Sequence, residues 1–328
     1  MTAFDIFNGD ADGICSLLQL RLSSPRDAVL VSGVKRKVDL LKNLPSNHTI
    51  RQGDEITVLD ISMLKNQSGL ETVLTQGAKV FYADHHQSGD IPKHPNLSAH
   101  INLSPDTCTG LIINKHLDNR YFLWALTAAF GDNLIDKANL LGSEKNIAPG
   151  TLEVIKKLGT YINYNGYGSS LEDLFYDPTV LFNILLPYSS PMDFIEDGHE
   201  AFKRLEEGYQ SDFSCAKSAD IIHKTAEATA FLLPDERWAR RVSGVFGNDL
   251  ANQTPHSAHA VLTEQTKDGQ KGYLVSIRAP LTNKRDADTL ASKFPSGGGR
   301  KAAAGINHLP EAQLSTFLQE FQSLYQNT

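Results

Sequence analysis

The sequence predicts an α/β protein, with an N-terminal parallel-sheet domain covered by helices on both faces, a helical linker and a smaller α/β domain. Three observations carry this prediction. Short β-type runs alternate with helical periods over about the first 100 residues, the mark of repeated βα units. From Thr107 to about Leu233 the apolar spacing turns mostly helical. Beyond Pro234-Asp235-Glu236 the β-type runs return.

In order along the chain, Phe4-Asp5-Ile6-Phe7 is the first strand, and Gly13 to Leu22 places Ile14, Leu17, Leu18 and Leu22 at helical spacing. Ala28 to Ser32 reads as a second strand and Lys37 to Leu44 as a second helix. Ile56 to Leu59 and Val80 to Ala83 are further strands, with a helix from Met63 to Gln76 between them. The following helical region is interrupted by glycine or proline at Gly131, Gly142, Pro149-Gly150, Gly166, Gly168, Pro187 and Pro191. Met192 to Leu233 has no proline and reads as linking helices. The last part carries strand-like runs at Val242–Val245, His259–Leu262 and Tyr273–Ile277, then helices near Ala287–Phe294 and Pro310–Gln326. The expected division is therefore 1–191, 192–234 and 235–328.

Composition narrows the function. The chain has 328 residues, 41% of them hydrophobic, enough for a sizeable core. No run approaches the roughly 20 apolar residues of a membrane span, so no membrane partner is expected. The start has no basic leader before an apolar run, and Cys15, Cys108 and Cys215 are scattered without a CxxC pair. Both features point to a reducing, cytoplasmic setting. The formal charge of −7 disfavours a partner that is a long nucleic acid. That charge is uneven: 11 Lys/Arg face 9 Asp/Glu from Asp235 onward, against 20 and 29 before it. An acidic part suited to cations is joined to a mildly basic part suited to phosphate.

The acidic clusters fall at equivalent places. Asn8-Gly9-Asp10-Ala11-Asp12-Gly13 follows the first strand, Asp60 ends the third, and Asp84-His85-His86 ends the fourth. In an open parallel sheet, ligands bind outside the carboxyl ends of the strands, so these segments converge on one crevice. Phe130-Gly131-Asp132-Asn133 follows an apolar helical run and adds a further carboxylate. Taken singly, Asp10 or Asp12 reads as a helix N-cap and Asp60 or Asp132 as a turn residue. Together they need cations to offset their repulsion. Carboxylates with imidazole suit Mn²⁺, and Mg²⁺ less well. Two such ions clamp a phosphoryl group and generate a hydroxide at neutral pH, with central Asp60 the natural bridge.

These residues resemble the motifs of the DHH phosphoesterase superfamily: Asp10-Ala11-Asp12-Gly13, Asp60, Asp84-His85-His86 and Gly131-Asp132-Asn133. Gly297-Gly298-Gly299-Arg300-Lys301-Ala302-Ala303-Ala304-Gly305 resembles the signature of the associated DHHA1 domain. The resemblance implies two Mn²⁺ held by Asp10, Asp12, Asp60, His85 and Asp132. It gives His86 a contact to substrate phosphate or metal-bound water, and Asp84 the orientation of its neighbours. Two positions depart from the pattern. Ile6 and Asn8 stand where the family has a histidine or an aspartate before its first motif, so Asn8 becomes a neutral candidate for a metal or water contact. Arg300 replaces the usual histidine after the glycines and offers a bidentate fork for phosphate or guanine.

In the second domain, Gly297, Gly298 and Gly299 can present backbone N–H groups to an anion, with Arg300 and Lys301 adjacent. Ala302 to Ala304 suits the first turn of a helix, and Arg278 ends the preceding strand as a further cationic candidate. The function expected from the resemblance is hydrolysis of short RNA, with a dinucleotide such as pGpG the foremost substrate. A pAp phosphatase, a cyclic-dinucleotide phosphodiesterase and a nucleotide sensor with decayed catalysis remain as alternatives. The oligomeric state is left open, a homodimer included.

Overall fold

A computed structural model describes residues 1–326. The chain divides into two compact units, Met1–Glu206 and Glu207–Thr328.

The first unit begins with β1 (Ala3–Phe7), α1 (Ala11–Ser23), β2 (Val29–Val31), α2 (Leu40–Asn47), β3 (Glu55–Leu59), α3 (Met63–Thr75), β4 (Lys79–Asp84) and β5 (Leu97–Ile101). The strands form one parallel sheet in the order β2-β1-β3-β4-β5. Period-two alternation sorts its faces. Phe4, Ile6, Ile56, Val58, Val80 and Tyr82 pack on one side with Leu41 and Leu44 of α2 and Leu70 and Val73 of α3. The other side is covered by α1 and α4 (Thr109–His116), so both faces are buried, as a parallel sheet requires. The unit continues with α5 (Phe122–Gly131), α6 (Ile135–Glu144), α7 (Pro149–Gly166), α8 (Pro178–Leu185), α9 (Pro191–Glu196) and α10 (Glu200–Ala216). Trp124 of α5, fully buried, donates its indole N–H to the Tyr188 carbonyl at 3.2 Å. Burial of such a side chain contributes roughly 1.5–3 kcal/mol.

Strand order fixes where a ligand can bind. The chain leaves β1 towards β2 on one side and returns to pair β3 on the other. The helices leaving the two strands diverge there and open a crevice at the strands' carboxyl ends.

The second unit adds β6 (Asp220–Lys224), β7 (Ala228–Leu233), α11 (Arg237–Gln253), β8 (Ala258–Lys267), β9 (Gln270–Arg278), α12 (Ala287–Ala291), β10 (Gly297–Gly299), β11 (Ala303–Pro310) and α13 (Leu314–Tyr325). Its six strands lie in the order β10-β11-β9-β8-β7-β6. Among the described residues of this sheet, only β7 and β8 pair in parallel, and α11 is the crossover between them. Phe317, Phe321 and Tyr325 of α13, each fully buried, pack with Ala260, Leu262, Val275 and Ile277 on one face of the sheet.

Several expectations are corrected. Residues 192–234 are not a helical linker: after α9 and α10 they form β6 and β7, an antiparallel pair at the edge of the second sheet. The second unit thus starts at Glu207, inside α10, and not at residue 235. Lack of proline is equally compatible with a strand, and the pairing of Ala228–Leu233 with β8 on one side and β6 on the other is what decides. Val242–Val245 is not a strand. It lies within α11, where Ala239, Val242, Ser243 and Phe246 are buried at helical spacing. Ala302–Ala304 does not open a helix; β10, a tight turn and β11 make a hairpin, with Gly298 opposite Gly305 and Gly299 opposite Ala304. Strand β5 was not foreseen, its sequence Leu97-Ser98-Ala99-His100-Ile101 being weakly apolar.

Candidate metal centre

The site grows from the ends of β1, β3 and β4. Leaving β1, the chain enters α1 through Asp10, whose Oδ1 accepts the N–H groups of Asp12 and Gly13 at 3.0 Å each. Asp10 is therefore a helix N-cap as well as a candidate ligand. Only glycine fits at residue 13, because a Cβ there would lie 2.2 Å from the Asn8 carbonyl oxygen. At the end of β3, Asp60 adopts the left-handed conformation, φ 58°, uncommon for a residue with a side chain, and its N–H donates to the Ala83 carbonyl. Asp84, His85 and His86 follow at the end of β4, and Asp132 caps the C-terminus of α5.

These residues converge. His85 Nε2 lies 3.3 Å from Asp60 Oδ1, 3.7 Å from Asp12 Oδ2 and 3.9 Å from Asp132 Oδ2. Asp60, His85 and His86 offer ligand atoms that all lie within 4.8 Å of one another. His85 Nδ1 is 2.9 Å from the Thr107 carbonyl, which can only accept, so Nδ1 carries a hydrogen and Nε2 presents its lone pair in the neutral ring. A lone pair facing three carboxylate oxygens calls for a cation between them, and the donor set of oxygens with imidazole fits a hard or borderline divalent ion. His86 Nδ1 sits 2.7 Å from Asp84 Oδ1, and its side chain is 30% exposed.

The electrostatics follow from crowding. Burial, then the charges of Asp60, Asp132 and Asp10, push Asp12 well above the usual carboxylate range, with His85 opposing. Burial and the charges of Asp10, Asp84 and Asp132 push Asp60 up likewise. Asp84 runs the other way: burial would raise it, but the His86 and His85 rings hold it low. Asp10 is also held low against burial, chiefly by Lys35.

Lys35 was not foreseen. Its ammonium lies 2.5 Å from Asp10 Oδ2, donates to Asn163 Oδ1 at 2.9 Å and lies 3.9 Å from Asp132 Oδ1. It also sits over the Tyr167 ring. Burial works against its charge, and the neighbouring Asp10, Tyr167 and Asp132 more than restore it. Its only trace in the sequence is the basic run Lys35-Arg36-Lys37 just after β2. Thr109 and Gly110 were missed too. Their N–H groups, at the N-terminus of α4, donate to Asp12 Oδ2 at 2.8 Å and Oδ1 at 2.7 Å, while Thr109 Oγ1 donates to Asp60 Oδ1 at 3.2 Å. Asn8 is buried; its Nδ2 donates to the Lys35 carbonyl at 3.2 Å, and its Oδ1 has no hydrogen-bond partner.

The expected phosphate-binding residues lie in the second unit. Gly297, Gly298 and Gly299 are strand residues, and Arg300 and Lys301 form the turn, closed by the Arg300 N–H to the Ala303 carbonyl at 2.8 Å. Arg278 is buried at 8% exposure. Its guanidinium donates to Asn248 Oδ1 at 2.6 Å and to the Ile277 and Gly244 carbonyls at 3.0 Å, so it ties α11 to β9.

No family model and no curated protein matches the sequence. The fold does have solved counterparts. It is similar to a crystal structure of exonuclease RecJ bound to manganese, with 16% identity and a TM-score of 0.58 over 100% of this chain and 90% of that one. It is similar to RecJ in complex with Mn²⁺ from Thermus thermophilus, with 16% identity and a TM-score of 0.62, this chain spanning 52% of that one. A pGpG-specific phosphodiesterase, PggH from Vibrio cholerae, matches with 12% identity and a TM-score of 0.54 over 99% of both chains. The α/β fold class expected from the sequence is that of these structures. Among the described residues no helix is long and apolar enough to cross a membrane.

Proposed function

We propose that this chain is a metal-dependent phosphodiesterase that hydrolyses short oligoribonucleotides, dinucleotides such as pGpG foremost, to mononucleotides. The observation that carries the reading is the approach of Asp12, Asp60 and Asp132 to within 3.3–3.9 Å of the His85 Nε2 lone pair. The similar structures, a manganese-bound exonuclease and a pGpG-specific phosphodiesterase, support the same chemistry on this fold.

Asp12, Asp60, His85 and Asp132 would hold a divalent ion, of which Mn²⁺ suits the mixed oxygen and imidazole donors best and Mg²⁺ less well. When bound, that ion supplies Lewis acidity and makes water a nucleophile at neutral pH. Thr107 keeps His85 in the ligating tautomer, and the N–H groups of Thr109 and Gly110 fix the Asp12 carboxylate. Asp84 accepts the Nδ1 hydrogen of His86, which leaves His86 Nε2 as the atom able to hold or release a proton beside the phosphoryl group. In the second unit, the Arg300–Lys301 turn beside Gly297, Gly298 and Gly299 supplies cationic groups and backbone donors for a terminal phosphate or a base.

A small substrate fits the charge of the chain. At −7 overall, it lacks the basic balance that favours a long polyanion. The three scattered cysteines, without a CxxC pair, fit a reducing, cytoplasmic setting. The test is turnover by the purified chain, in Mn²⁺, of a panel of 5′-phosphorylated dinucleotides, pAp and cyclic dinucleotides. Preferential conversion of dinucleotides to mononucleotides is expected. Preference for pAp makes it a phosphatase, and tight binding without turnover makes it a sensor.

A further inference from the structure

The side chains around this centre form two groups that differ in what they offer a cation. The first is the set facing His85 Nε2: Asp60 Oδ1, Asp12 Oδ2 and Asp132 Oδ2. The second is centred on Asp10, and its oxygens are already engaged. Oδ1 takes two backbone N–H groups at the start of α1, and Oδ2 takes the ammonium of Lys35 at 2.5 Å.

Lys35 is not a surface lysine that has drifted inward. Its N–H donates to the Gly166 carbonyl at 2.7 Å, its own carbonyl accepts from Asn8 Nδ2 at 3.2 Å, and its ammonium donates to Asn163 Oδ1 at 2.9 Å. Backbone and side chain are thus both fastened, by the loop leaving β1 on one side and the end of α7 on the other. Asp132 turns one oxygen to His85 Nε2 and the other to Lys35 Nζ, each at 3.9 Å, so it is shared between a ligand position and an ammonium. Asn8 has a part in the same arrangement. At the position where the resembled family can carry an aspartate, its amide braces the lysine.

We propose that Lys35 Nζ is the second cation of this centre, so that the chain binds a single divalent ion at Asp12, Asp60, His85 and Asp132, with the ammonium in place of another. The inference rests on the metal-dependent reading above and replaces the two-ion expectation of the sequence. Charge agrees with it. The carboxylates of Asp10, Asp12, Asp60 and Asp132 are nearly balanced by one divalent ion and one ammonium. Function agrees as well, because an ammonium is a compact charge with three donors, suited to an equatorial phosphoryl oxygen. The opposing feature is Asn8 Oδ1, buried and without a hydrogen-bond partner, which is the oxygen a second ion would take. The number of ions therefore decides the matter.

The experiment uses the full chain, stripped with EDTA and titrated with Mn²⁺ alone, the bound ions being counted by equilibrium dialysis and their coupling read by electron paramagnetic resonance. The proposal predicts one ion per chain and an uncoupled six-line manganese spectrum. Two ions with an exchange-coupled spectrum would overturn it and leave the phosphodiesterase reading intact. No bound ion at all would instead overturn the metal centre itself. As a second arm, Lys35→Met is expected to keep its ion while dinucleotide turnover falls ~10²–10³-fold, the loss typical of removing one preorganised transition-state donor. Unchanged turnover in that variant would also overturn the proposal.

Discussion

Arg21 grips Asp5 through a two-point contact, Nε and one Nη each lying 2.6 Å from a different carboxylate oxygen in the buried interior of the first unit. Arg26 adds a third bond to Asp5 at 2.8 Å, and Thr57 on the neighbouring strand accepts from both guanidinium groups. This network holds β1, α1 and β3 in register beneath the candidate centre. Asp5→Leu would leave the buried Arg21 without its anion, while Arg26 keeps Glu55 at 3.0 Å, and removal of one partner from a buried pair costs ~3–5 kcal/mol. A large fall in melting temperature is expected, with the remaining folded fraction still able to bind Mn²⁺. The pH dependence has a definite sign. Burial alone would raise the Asp5 pKa, but Arg21 and Arg26 hold it below the usual carboxylate range. Its stabilisation is therefore fully present above the unfolded value and is lost as pH falls through the lower, folded one. Denaturant melts at neutral and at acid pH should show a smaller acid loss in Asp5→Leu than in the wild type.

Thr109 touches two candidate ligands at once, Asp12 through its N–H and Asp60 through its hydroxyl. Thr109→Val keeps the first contact and removes the second. Loss of such a supporting bond typically weakens metal affinity by ~10–100-fold. Thr109→Ser is expected to restore it. Mn²⁺ affinity by calorimetry distinguishes this from a packing effect, which the valine, of nearly equal volume, would scarcely produce.

The three glycines of the second unit should behave differently from one another. A Cβ on Gly297 would lie 1.8 Å from the Ala291 carbonyl oxygen, whereas one on Gly298 meets nothing within 4 Å. Gly297→Ala should lower stability by ~1–3 kcal/mol through overpacking. Gly298→Ala should leave the melting temperature unchanged and raise KM for a dinucleotide, since a methyl group then stands at a proposed phosphate contact. Melting curves and steady-state kinetics on the pair separate a structural from a binding role.

Arg278 and Arg300 should part in the same way. Arg278→Met removes the bonds to the Gly244 and Ile277 carbonyls and to Asn248, each worth ~0.5–1.5 kcal/mol, and more for a charged donor. Loss of stability is the expected readout. Arg300→Ala is expected to leave stability intact and to raise KM with little change in kcat, the pattern of an interaction equally strong in ground and transition states.

What could be read from the sequence follows a physical line. Asp10, Asp12, Asp60, Asp84 and His85 were legible because βα order alone brings the ends of parallel strands together. Asp132 was legible only beside the other clusters, as part of the resembled motifs, since a carboxylate after a helix reads singly as a turn residue. Lys35, Thr109, Gly110 and Asn163 were not, since their positions depend on loop paths and on where α4 and α7 begin and end, which periodicity does not encode. The run Gly297–Gly305 misled because alanine favours helix in isolation, while pairing of Ala303 and Ala304 with Arg278 and Ile277 of β9 decides for strand. Val242–Val245 misled in the opposite sense, its β-branched residues lying on the buried face of α11.

Where water attacks decides between phosphodiester cleavage and every other reading of the centre. A 5′-phosphorylated dinucleotide turned over in ¹⁸O-labelled water, by protein stripped of metal and restored with Mn²⁺, reports this by mass spectrometry. The prediction is label in the newly formed 5′-phosphate of one mononucleotide product, no labelled inorganic phosphate, and no turnover before Mn²⁺ is restored. Labelled inorganic phosphate, or an intact dinucleotide in the presence of Mn²⁺-loaded protein, would contradict it.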